Sequence, residues 1–417
     1  MTGTGATPPA KTGPVAPRIV AFAFSCEPDG GSEGGAGWIW ARLLAGIGPT
    51  TLLISRSPHS DRVVARAAEL TGAEAGRLDV VVVDPPALIA RFIGSHSWPP
   101  LWYLEYAVFQ VRAMRRARRL HEVAPFDISW HLTWANAWFG SLAGFVGPAF
   151  VFGPVGAGVG TPWGLIGTVG LRGAIAELAR SAARMGSRYL NPVARAAIRS
   201  AAVILVQNPE TVAWLPARHR DKAVVFPHVV LTERTTDTSP PPPGRRAALF
   251  AGRLLPWKGG ELALRAMVDL PEHRLIICGR GPDEARLQDL SERLGVADRV
   301  EFRGWVDRED LTIAMREEAS VFLFPSLHDE GGWVVTEARA QGLPVVCLDR
   351  GGPPILGGTG VAAGRPKATA RRLARAVLAV EADPPGPSPV PTVPEARRRL
   401  IHLLAARGII PPTDAPA

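Results

Sequence analysis

Cysteine and lysine are scarce in this 417-residue chain. The three cysteines, Cys26, Cys278 and Cys347, lie far apart with no C-x-x-C spacing. That excludes a disulfide framework and a structural zinc site, and it fits a reducing, cytoplasmic setting. Cys278 and Cys347 sit in apolar runs and read as packing residues. Lysine occurs only at Lys11, Lys222, Lys258 and Lys367, although Lys plus Arg totals 47. No apolar run is long enough to cross a membrane: the longest uncharged stretch, 132–171, is broken by Pro148, Pro154 and Pro162. The opening residues 1–17 have no apolar h-region and read as a flexible tail, not a signal peptide. G-x-x-x-x-G-K-[ST] is missing, which excludes a P-loop NTPase. H-E-x-x-H and metal-spaced clusters are missing too, so no metal and no cofactor is expected. Gly279 and Gly281 lack the third glycine of G-x-G-x-x-G, which weakens a dehydrogenase reading.

What is present is a basic chain with alternating strand and helix patterns. The formal charge of +9 suits anionic partners: phosphorylated small molecules, anionic lipid or nucleic acid. Nucleic acid is not expected, since no recognised binding module accompanies the charge. Strand-like apolar runs fall at 18–25, 51–55, 78–84, 126–134, 149–154, 201–207 and 223–227. Helical patterns lie between several of them, at 61–70, 102–120 and 174–200. After a polar and proline-rich linker at 233–245 the alternation restarts. Strands at 247–252, 275–279, 299–304, 321–325 and 343–348 are separated by helices near 260–269, 283–294, 308–317, 333–341 and 367–380. This predicts two doubly wound parallel-sheet α/β domains, over 18–232 and 246–383. Residues 384–417 read as a Pro-rich spacer and a last helix.

Ligands bind open α/β sheets at the carboxyl ends of strands. In the second half, the first strand ends in Gly252-Arg253 and then Lys258-Gly259-Gly260. Two cations with flanking glycines at a strand-to-helix turn form an anion cradle; the plainer alternative is a solvated loop with chance charges. The richest run is PSLHDEGGWVVTEA, 325–338. Gly331 and Gly332 let the backbone approach a ligand, and a helix beginning near Trp333 offers free N–H groups. Glu337, about one turn into that helix, is placed to accept from ribose hydroxyls, and Asp329 to meet a sugar hydroxyl. An acidic helix cap is the competing explanation.

The segments AGRLLPWKGG, ICGRGPDEARL, VEFRGWVDREDL and FPSLHDEGGWVVTEARAQGLPVVCLDRGGP resemble, in order and spacing, the C-terminal domain of glycosyltransferase family 4. The resemblance covers about 247–354 and implies a GT-B fold: two Rossmann-like domains facing a cleft. It further implies a retaining, metal-independent transfer from a nucleotide-sugar donor to a glycan, glycolipid or small-molecule hydroxyl. By the same resemblance Arg253 and Lys258 hold the diphosphate, Glu337 holds the ribose, and Gly252, Gly279, Gly281 and Trp333 belong to the donor site. Asp329 takes the first place of the family's E-x7-E motif, eight residues before Glu337. Asp stands there where Glu is usual, and Gly331-Gly332 replaces the usual Phe-Gly, so Glu330 is a rival for the sugar contact.

The N-terminal half resembles the same family more loosely. CEPDGGSEGGAGW, 26–38, looks like the glycine-rich first loop, with Gly30, Gly31 and Glu33 as its candidates for acceptor or phosphate contact. In FDISWHLTW, 126–134, Asp127, Ser129, His131 and Thr133 share one strand face, unusually polar for a buried parallel strand. His131 matches the family's histidine there; a hydrogen-bonded core histidine is the alternative. The segment 112–119 carries five arginines at helical spacing beside an aromatic run. Peripheral contact with the anionic inner face of a membrane and a merely solvated helix face both account for it. A non-catalytic nucleotide- or glycan-binding protein and a sugar phosphorylase on the same scaffold are the alternative functions.

Overall fold

The computed structural model describes residues 16–28, 30–87, 99–231, 241 and 244–412. The expected tail, up to residue 15, and most of the expected linker lie outside these residues. The first sheet contains β1 (Ile19–Ala23), β2 (Thr50–Ser55), β3 (Leu78–Val83), β4 (Ile128–His131), β5 (Ala149–Val155), β6 (Val203–Val206) and β7 (Ala223–Val225). Their spatial order is β3-β2-β1-β4-β5-β6-β7. All pairs are parallel, with Ile19 opposite Thr50 on one side and Ile128 on the other. The second sheet contains β8 (Ala247–Ala251), β9 (Arg274–Cys278), β10 (Val300–Gly304), β11 (Val321–Phe324), β12 (Val345–Leu348) and β13 (Thr359–Val361). It is ordered β10-β9-β8-β11-β12-β13, again in parallel.

Strands such as IVAFA and VFLF are apolar at every position because helices cover both faces of each sheet. On the first sheet, one face packs Trp130 and Leu52 against Trp40 and Leu44 of the helix Ser32–Ala45. The other packs Phe22 and Phe152 against Phe109, Ala113 and Ala117 of the helix Pro99–Val123. The arginines of 112–119 stay on the outside of that helix, and its first turns expose Trp102, Tyr103 and Leu104.

Two features depart from the sequence reading. The helical pattern over 174–200 is two helices, Gly170–Leu190 and Pro192–Ser200, because Pro192 has no N–H to continue the first. The Asn191 side chain instead caps the second, accepting from the Val193 and Ala194 amides. The C-terminal segment, moreover, is not a free-standing tail. Its helix Val393–Ala406 returns to the first domain and buries Val393, Ala396, Leu400 and Leu404 against the Trp40 side of the core. Burying each leucine there contributes about 1.5–3 kcal/mol. Arg397 adds an ion pair to Glu74 at 2.6 Å.

Candidate functional site

Strand order reverses between β1 and β4 in the first sheet and between β8 and β11 in the second. Crevices open at the carboxyl ends of strands at such reversals. The two crevices face each other across a cleft of about 940 Å³.

The C-terminal wall is built from the two loops that the sequence marks. Lys258 Nζ lies 2.5 Å from Asp329 Oδ2 and 5.4 Å from the centre of the Phe324 ring. Gly259 makes this turn possible: its φ is 83°, and a Cβ there would sit 2.1 Å from the Pro325 carbonyl oxygen. Arg253 stands exposed at the rim with no ion-pair partner among the described residues. Gly332, also left-handed at φ 78°, starts the helix Trp333–Ala340 without a side-chain cap, so first-turn amides face the cleft. Glu337, one turn on, pairs with Arg308 at 2.8 Å, and burial raises its pKa above the ordinary carboxylate value. Gly252 and Gly279 also line this wall. Gly281 does not; it packs against the Leu254 backbone behind it.

Glu330 turns the other way. Its carboxylate reaches into the N-terminal domain, accepting from Asn208 Nδ2 at 2.7 Å, the Val159 amide at 3.2 Å and Thr211 Oγ1 at 3.3 Å. Burial pushes its pKa up to about 7 against these three donors. Beside it, His328 Nε2 meets Glu177 Oε1 at 2.8 Å, and Arg350 donates to the Gly160 carbonyl at 2.6 Å. Of the two rival acids, Asp329 stays with Lys258 in the cradle, while Glu330 is a latch between domains that only edges the cleft.

The N-terminal wall corrects the sequence reading most. His131 is 1% exposed and lies outside the cleft lining, on the face of β4 that packs against Phe152. Its Nε2 is 3.3 Å from the Trp134 carbonyl, and burial holds its pKa down at about 4. The polar strand face is therefore interior, and His131 is a neutral core histidine. Gly30 and Gly31 do not line the cleft either. The helix Ser32–Ala45 already begins within that glycine-rich segment, and the close approaches belong to its Gly35 and Gly37, where a Cβ would strike the Gly30 and Ser25 carbonyls. Glu33 does reach the cleft, and its carboxylate accepts from the Ala135 amide at 2.9 Å, fixing the loop after β4.

That loop carries residues the sequence reading passed over. Trp134 alone among the described non-glycine residues has left-handed backbone, at φ 56°. It stacks on Tyr106 at 4.8 Å and, with Tyr103 and Phe139, forms an aromatic wall beside Asn136. His228 lines the cleft too, with a buried Nε2 that has no partner among the described residues. Its pKa is lowered by burial, against the pull of the Glu33 carboxylate. Position was the available signal: His228 follows the last strand of its sheet, where ligands bind.

The fold and these loops define a class, and comparison with known proteins agrees with it. Residues 232–401 match the sequence family described as Glycosyl transferases group 1. The D-inositol 3-phosphate glycosyltransferase of Mycolicibacterium smegmatis is 36% identical over 126 residues, 29% of this chain and 29% of the relative. That of Streptomyces scabiei is 35% identical over 189 residues, 39% of this chain and 41% of the relative. The matched segments thus span less than half of these relatives. The whole architecture is similar to the lipopolysaccharide outer core galactosyltransferase WaaB, with a TM-score of 0.57 at 14% identity, over 92% of this chain and 95% of that one. It is also similar to Anabaena Alr3699/HepE, solved in complex with UDP, with a TM-score of 0.53 at 14% identity, over 94% of this chain and 100% of that one. The fold is GT-B.

Proposed function

We propose that this chain is a glycosyltransferase that moves a sugar from a nucleoside-diphosphate sugar to a hydroxyl acceptor, with retention and without a metal. The observation that carries the reading is the cradle of Lys258, Asp329 and the uncapped helix start at Gly332–Trp333, gathered where strand order reverses. In this reading the bond from the anomeric carbon to the diphosphate breaks, and the electron pair stays on the phosphate oxygen. Lys258, Arg253 and the helix amides meet that charge as it develops. Asp329 orients the sugar and Glu337 the ribose. The acceptor oxygen forms the new bond on the same face, and its proton passes to the departing phosphate. The aromatic wall of Tyr103, Trp134 and Phe139 receives the acceptor, with Asn136 and His228 as its polar contacts. Contact between Glu330 and Asn208 holds the domains together, which keeps water from the donor.

A thermal-shift panel of UDP, GDP, ADP, TDP and CDP in EDTA, on wild type and Lys258→Ala, tests the donor half of this proposal. A nucleotide at about 100 times its Kd stabilises by ~2.7 kcal/mol. The expected result is a shift with one nucleotide in wild type, diminished in the variant. No shift with any nucleotide, or equal shifts in both proteins, removes the cradle from the reading.

A further inference from the structure

The helix Gly170–Leu190 is built inside out. Apart from Arg172 near its start, its charged side chains turn inward. Glu177 accepts from Thr161 Oγ1 at 2.6 Å, Arg180 donates to the Val159 carbonyl at 3.1 Å, and Arg184 donates to the Gly158 carbonyl at 2.5 Å. Leu171, Ile175, Leu178, Met185, Tyr189 and Leu190 point outward, and Leu171 and Leu190 are 80% and 81% exposed. Ala182 occupies the step between Leu178 and Met185, so the apolar residues form one stripe along the whole helix. Trp163, just ahead of the helix, is also exposed. The stretch 112–119 of the helix Pro99–Val123 shows the opposite arrangement, with Ala113 and Ala117 inside and its five arginines outside. Contiguous exposed apolar surface of this kind marks a contact face.

A second cavity, of about 240 Å³, opens at the C-terminal end of the stripe. Arg188, Arg195, Arg218 and His219 line it with Tyr189, and no carboxylate does. The Arg188 Nε is buried there without a partner among the described residues. Positive charge continues around the rim, where Lys222 donates to the Arg199 carbonyl at 2.8 Å. Burial first, and then the charges of Lys222 and Arg218, hold the His219 pKa below its ordinary value, against the opposing charge of Asp221. Asn191, at the end of the helix, donates to the carbonyl of Trp138, the residue before Phe139 of the cleft wall, at 2.7 Å.

We propose that this face docks on a membrane carrying anionic phospholipid, the apolar stripe entering the acyl boundary and the Arg188–Arg195–Arg218 pocket taking a lipid phosphate. Charge complementarity selects this occupant. An anionic lipid presents apolar chains and a phosphate side by side, in the same arrangement as the stripe and the pocket. A second copy of the chain would bring the same basic cluster to the same face, and like charges repel. The inference goes beyond the transferase reading and uses none of its residues.

The test is co-sedimentation of the full chain with vesicles of phosphatidylcholine alone and of phosphatidylcholine with phosphatidylglycerol. Wild type is expected to sediment with the anionic vesicles and to be released by salt. Arg195→Glu/Arg218→Glu and Leu178→Glu/Met185→Glu are each expected to lose binding by about tenfold or more. Circular dichroism and thermal unfolding identify folded variants, and Arg195→Gln/Arg218→Gln repeats the test should the reversed pair misfold. Wild type that ignores anionic vesicles, or folded variants that bind as wild type does, overturns the proposal. So does a thermal shift with inorganic phosphate unaccompanied by vesicle binding, which would make the pocket a free-anion site. A wild-type dimer in light scattering that Leu178→Glu/Met185→Glu converts to monomer, with vesicle binding unchanged, would make the face a self-interface.

Discussion

The two walls of the cleft are made of different materials. The C-terminal wall is charge and backbone: Lys258, Arg253, Asp329, glycines in the left-handed region and an uncapped helix start. The N-terminal wall is aromatic surface, Tyr103, Trp134 and Phe139, held by a loop that Glu33 pins through one amide. A wall that stabilises a departing diphosphate needs a few charges at fixed places, and a short motif encodes it. A wall that accepts an arbitrary hydroxyl compound needs shape, and shape comes from residues distant in sequence. In the proposed reading, the contrast puts charge stabilisation on one side and acceptor selectivity on the other.

The sharpest way to break that contrast is Lys258→Ala. Removing one preorganised cation from a developing charge costs ~10²–10³ in kcat. Asp329 then loses its partner while the helix start at Gly332 is retained. Steady-state transfer with the donor selected by the nucleotide panel measures it; turnover within a few-fold of wild type would move the charge stabilisation elsewhere. Glu337→Gln is expected to do less, since the amide keeps one acceptor oxygen. About a tenfold rise in the nucleotide Kd by calorimetry corresponds to one weakened hydrogen bond to a charged group. Unchanged affinity would leave Glu337 as the partner of Arg308 alone.

The same contrast explains what the sequence disclosed. Every strand of both sheets except β13 is visible in the sequence, as an apolar run or, in the edge strand β10 (VEFRG), as apolar residues alternating with charge. The exception, Thr359–Val361, has three residues and no run to see. The donor-side loops were legible because strand end, glycine, cation and acid are contiguous in the chain. The direction of Glu330 was not, since it depends on Asn208 and Thr211 in the other domain. Nor was the return of the C-terminal helix, whose Arg397 meets Glu74 across 323 positions. His131 was misplaced for a related reason. Period-two alternation says which residues share a strand face, but only tertiary packing decides which face is covered.

The smallest effect on turnover is expected at His131, and its variant separates two titrations that oppose each other. His131 is neutral in the fold, with its pKa near 4, whereas an unfolded histidine titrates near ~6.5. Between those values the unfolded chain binds more protons, so this contribution to stability is present above pH ~6.5 and is lost as pH falls toward 4. Glu330 runs the other way. Its folded pKa of about 7 lies above the unfolded value near ~4.3, so its contribution is full at low pH and is lost as pH rises through 7. In wild type the two slopes offset each other across the shared window. His131→Gln is expected to leave kcat within about twofold, as a residue outside the cleft should. Relative to wild type, it should also tilt the stability profile toward a decline from acid to neutral pH. Glu330→Gln should leave the opposite decline, toward acid, and should loosen the contact between domains. Urea midpoints from about pH 4 to 8 for the three proteins measure both slopes. A His131→Gln profile parallel to wild type would show that His131 titrates alike in folded and unfolded chains, returning it to solvent and to the cleft. A large loss of kcat in a variant with wild-type stability would do the same, and would make the N-terminal wall a partner in the chemistry.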